Sequence, residues 1–85
     1  MRRARDAYRV VHRRGSRAPA ALAPDRVDQV EVVSVDEGEV VLFWDLTGAH
    51  ARRVLRLLRE DLVGLDAEEF WGRWAAFEGE DDLDR

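Results

Sequence analysis

The stretch VDQVEVVSVDEGEVVLFW, residues 27–44, decides the fold class of this chain. Valine and aromatic residues dominate both halves, as in β-strands, and DEGE between them supplies a glycine where a hairpin turn needs positive φ. With Asp36, Glu37 and Gly38 as a three-residue loop, Val30, Val32, Val40, Leu42 and Trp44 share one face. Val33, Val35, Val41 and Phe43 share the other, together with Glu31 and Glu39. A sheet with one face in water alternates apolar and polar residues, and this hairpin is apolar on both. Its second face needs a cover.

Downstream, DLTGAHARRVLRLLREDLVGLDAEEFWGRWAAF, residues 45–77, reads as two helices. Thr47 is the expected N-cap of the first, whose Ala51, Val54, Leu55, Leu58 and Leu62 fall within about 100° of arc, and Gly64 ends it. Asp66 opens the second, with Glu69 completing a capping box and Leu65 placed to staple onto Phe70. A link this short makes the helices a tight corner or an antiparallel pair. Within the second helix Phe70, Trp74 and Phe77 lie within about 60° of one another and form a core stripe. Trp71 sits roughly 90° off that stripe. Gly72, on the opposite side, costs about 1 kcal/mol of helix propensity relative to alanine, and close approach of another backbone would account for it.

Upstream, residues 1–26 begin with a basic, mildly amphipathic piece in which AYRVVH fits either a helix or a short strand. Residues 13–24 hold both prolines among small residues, a linker composition. The expected organisation is a flexible basic arm over 1–24, a domain over 25–78 and an acidic tail over 79–85. The expected class is α+β: a hairpin followed by two short helices (ββαα), with an N-terminal strand or helix as a possible addition. A lone hairpin is marginal, and two helices cover only one of its faces. Either AYRVVH adds a third strand and the head covers the remainder, or the open face meets a partner, for instance in a four-stranded sheet shared by two hairpins. Eighty-five residues is a size at which a single core is barely sufficient, which favours the partner.

Composition narrows the function classes. The chain has no cysteine, so neither a disulfide nor a thiolate zinc site is available. No apolar run approaches the roughly 20 residues of a membrane span, and GSRAPAALAP after the second arginine pair is too broken for an export signal. A cytoplasmic location is expected. All fourteen basic residues are arginine, which reads as the codon bias of a GC-rich genome before it reads as selection. The net charge of −4 conceals a split, with seven arginines against Asp6 in residues 1–17 and seven against seventeen acids in residues 18–85.

Motifs for chemistry are weak. Thr47, His50 and Asp45 can be drawn as a cluster, but polar residues around a helix start are common for capping alone. The carboxylates of EGEDDLDR lack the spacing of a calcium loop and read as a solvated tail. The dispersed glycines match no phosphate-cradling pattern. No cofactor or small-molecule substrate is expected, and the protein is read as non-enzymatic. What remains is a small interaction protein, a homodimer, accessory subunit or adaptor, contacting itself or another protein through Val33, Val35, Val41, Phe43 and Trp71. The alternative is a nucleic-acid-associated regulator that neutralises phosphates through Arg2, Arg3, Arg5, Arg9, Arg13 and Arg14 of the arm, with Arg52 and Arg56 of the first helix. A helix-turn-helix mode is disfavoured, because Asp66, Glu68 and Glu69 would lead the second helix towards phosphates.

Overall fold

The computed structural model of the protein describes residues 1–15 and 26–79. It is an α+β fold in which a short helix α1 (Ala4–Ala7) leads into strands β1 (Tyr8–Arg13), β2 (Val27–Ser34) and β3 (Val40–Thr47). Helices α2 (Gly48–Gly64) and α3 (Ala67–Trp74) follow. The strands form one antiparallel sheet in the order β1-β2-β3.

The hairpin lies where the valine runs place it, with Val30 opposite Trp44 and Val32 opposite Leu42. Its loop is one residue longer than expected. The Ser34 carbonyl accepts from the Gly38 N–H at 2.8 Å, and the Ser34 N–H donates to the Glu39 carbonyl at 2.8 Å. The loop is therefore residues 35–38, with Gly38 at φ 69° as its sequence position requires. The extra residue is absorbed as an irregularity between Val32 and Val33, beyond which Val33 lies across from Val40. A one-residue slip exchanges faces, so the expected sides of Val40 and Val41 are corrected. Val40 is 49% exposed, whereas Val41 is half-buried against the core.

AYRVVH resolves as a strand, with Tyr8 opposite Ser34, Val10 opposite Val32 and Arg13 opposite Gln29. An unpaired β2 edge offers a row of free N–H and C=O groups, and β1 satisfies them. A flexible arm is thus not the description of residues 1–15. Residues 2–4 are tied down as well: Ala4 N–H donates to the Leu65 carbonyl, Ala67 N–H to the Arg2 carbonyl, and the Arg3 guanidinium to the Val63 carbonyl. The head therefore runs along the link between α2 and α3. The linker reading for residues 16–24 and the acidic residues 80–85 lie outside the described residues.

Both ends of α2 and the start of α3 lie where expected, but α3 closes at Trp74, so Phe77, expected within the helix, packs on the core from the turn beyond it. Thr47 stands at the N-cap of α2 without a side-chain capping bond, and the helix closes at Gly64. Asp66 and Glu69 make the reciprocal capping box of α3, with the Glu69 N–H donating to Asp66 Oδ1 at 2.8 Å. The helices cover the sheet face that carries Val30, Val32, Trp44 and Leu46, and Val54, Leu58, Phe70 and Trp74 complete that core. Trp44 Nε1 donates to the Phe77 carbonyl at 3.1 Å and Trp74 Nε1 to Asp61 Oδ2 at 2.9 Å, so each buried indole has its hydrogen bond.

Candidate interaction surface

Strand alternation divides the sheet in two. Tyr8, Val10 and His12 of β1 share the helix-covered face with Val30 and Val32, so Arg9, Val11 and Arg13 stand on the other. The pairings arrange that second face in rows: Arg9, Val33 and Val40, then Val11, Glu31 and Phe43, then Arg13, Gln29 and Asp45. No described helix lies over it. Phe43 is 61% exposed and Val27 and Val40 about half exposed, while Val33 is buried among its neighbours. Arg13 Nε reaches Glu31 Oε1 at 3.2 Å across the face.

The five residues expected at a contact do not form one surface. Phe43 lies on the open sheet face. Val41 has been turned towards the core by the slip, Val33 is already covered, and Val35 is exposed in the hairpin loop. Trp71 belongs to the opposite side of the molecule, where its ring stacks on Tyr8 with centroids 6.2 Å apart and planes 19° apart. It is 41% exposed and borders a shallow cavity of about 280 Å³ lined also by Tyr8, Ala67, Glu68 and Gly72. The close backbone approach expected at Gly72 is not made by this chain: among the described residues nothing comes within 4 Å of where its Cβ would stand.

The arginines of the nucleic-acid alternative are divided too. Arg2 makes a two-pronged ion pair with Asp36 and also donates to the Asp6 carbonyl. Its guanidinium holds the Asp36 carboxyl below the usual range. Arg3 and Arg13 are engaged as described, while Arg5, Arg9, Arg14, Arg52 and Arg56 are exposed on several sides of the fold. Thr47 Oγ1 and His50 Nδ1 lie 3.1 Å apart at the start of α2. Among the described residues no group of three potential metal ligands comes together, and no helix is long and apolar enough to cross a membrane.

One polar centre went unread in the sequence. Asp28 is fully buried on the helix-covered face and receives His12 Nε2 at 2.8 Å, the Gly15 N–H at 3.1 Å and Arg26 Nη2 at 3.2 Å. Burial pushes its carboxyl up, and the bonds from His12, Gly15 and Arg26 outweigh that, holding it below the ordinary value. Gly15 is required there, because a Cβ would stand 1.6 Å from the Val27 carbonyl oxygen. The clasp joins the end of β1 to the start of β2. Its signal was present: Asp28 continues the inward alternation of Val30 and Val32, and an acid in an inward position needs partners. Compared with protein-family models, with curated proteins and with solved structures, the chain matches none.

Proposed function

We propose that this is a small, non-enzymatic interaction protein, whose open sheet face seats another protein surface. The observation that supports the reading is Phe43, a 61% exposed phenylalanine among Val11, Val27 and Val40 on a sheet face that no described helix covers. Exposed apolar faces with aromatic anchors and charged rims are the composition of protein contacts. Trp71, beside the bare Gly72, is a second and smaller contact point on the other side.

The test compares the unmodified chain with Phe43→Glu in the extract of the cells that express them. The native size is expected to exceed one chain for the former and to fall to one chain for the latter, with unchanged circular dichroism. A single-chain size for both would overturn the reading. The phosphate-binding alternative gains no comparable support, since Arg2, Arg3 and Arg13 already hold partners within the fold.

A further inference from the structure

The charge on the open face is sorted by strand. β1 presents Arg9 and Arg13 and β3 presents Asp45, with Glu31 on β2 between the outer strands, and the apolar residues Val11, Val33, Val40 and Phe43 lie among them. Arg13, Gln29 and Asp45 stand in one row, so the basic and acidic groups lie at the two ends of the same line across the sheet. Such a face is complementary to itself under one operation. Turning a second sheet about an axis parallel to β2 lays each β1 over the other copy's β3 and keeps every row aligned. Arg13 then faces Asp45 of the second copy, twice, and Phe43 faces Val11 of the second copy, twice.

We propose that the occupant of the open face is a second copy of this chain, packed sheet on sheet with its two-fold axis along the strands. The proposal rests on the reading of this face as an interaction surface and names what fills it. Two competing arrangements fit the face less well. An axis running across the strands would place β1 over β1 and set Arg13 against Arg9. Antiparallel pairing of two β3 edges would extend the sheet and leave the open face with Phe43 uncovered. Strand-parallel packing faces one repulsion, Glu31 against Glu31 near the axis, and Arg13 lies 3.2 Å from each Glu31 to offset it. Stacked sheets about 10 Å apart at roughly 30° keep these rows in register near the centre.

Arg13 and Asp45 are both exposed and outside the core, and because Arg13→Asp also takes the ion pair from Glu31, the circular dichroism of each variant is checked and the mixture is compared with Arg13→Asp alone. In the proposed pair Arg13→Asp alone sets the introduced carboxylate against Asp45 twice, and Asp45→Arg alone sets the introduced guanidinium against Arg13 twice. Each purified variant is expected to dissociate at least about tenfold more readily than the unmodified chain at low salt, as charge opposition at a contact rim does. Mixed one to one, the two variants form a heterodimer in which one contact pairs two native side chains and the other pairs the two introduced ones, with opposite charges facing each other in both. Its dissociation constant is expected to return to within about tenfold of the original, below that of either variant alone. Sedimentation of each variant alone and of the mixture reads this directly. A dimer that Phe43→Glu breaks but the mixture fails to restore overturns the arrangement and leaves the interaction reading standing. A purified chain that is monomeric while running as a larger species in extract assigns the face to a different protein and overturns the second copy. Absence of any larger species in extract overturns the interaction reading itself.

Discussion

Asp28 draws its partners from three places in the chain. His12 closes β1, Gly15 leaves it, and Arg26 leads into β2. Removing the carboxylate takes a shared, fully buried acceptor from His12, Gly15 and Arg26 at once, and Asp28→Ala is expected to cost about 2 kcal/mol in urea unfolding. The sign of the pH dependence follows from the carboxyl being held below its unfolded value. The stabilisation is complete above the unfolded pKa of about 4 and is lost as pH falls through the folded value. Thermal melts from pH 5 to pH 2.5 should therefore drop less for Asp28→Asn than for the unmodified chain; parallel curves would show that the carboxylate contributes nothing. The two neighbouring tryptophans of α3 separate in the same way. Trp74 is 4% exposed within the core and its loss to alanine should cost about 3 kcal/mol, whereas Trp71→Ala gives up one stacking contact worth about 1 kcal/mol. Equal losses would contradict the division of the aromatic cluster.

At the scale of elements, what was legible in the sequence was what short-range chemistry controls. The α2–α3 junction is specified within six residues by Gly64, Leu65, Asp66 and Glu69: α2 closes at Gly64 and both bonds of the Asp66–Glu69 capping box form. Asp66→Ala should lower stability by about 1 kcal/mol, as removal of an N-cap does, and melts of the two proteins would show it. Gly38 is likewise readable, since only a turn demands its φ of 69°. The strand β1 was not legible, because AYRVVH is too short for its own periodicity to decide between helix and strand. What decides it is distant: the edge of β2 and the ring of Phe70, on which Tyr8 stacks at 5.2 Å. The slip between Val32 and Val33 was invisible for a similar reason. A three-residue and a four-residue loop both place Gly38 at positive φ, and only the closing bonds at Ser34 distinguish them.

On the scale of the whole molecule, a third strand widens the sheet and does not cover it. β1 removes the open β2 edge, the head closes over the helix junction, and among the described residues no helix covers the face carrying Phe43. The third strand that was the rival explanation is in place, and the proposed partner would meet the face it leaves exposed. Val41 has left that face, Val33 stays on it but is buried, Val40 and Val11 have joined it, and Trp71 stands apart. The charge sorting that makes the face self-complementary was equally hidden, since the row of Arg13, Gln29 and Asp45 exists only once three strands are in register. The most direct measurement is the light-scattering mass of the purified protein in high salt, where screening removes steering but leaves apolar contact intact. The account predicts twice the 9.8 kDa of one chain, falling to one chain for Phe43→Glu. A mass of one chain for the unmodified protein at hundreds of micromolar would contradict it.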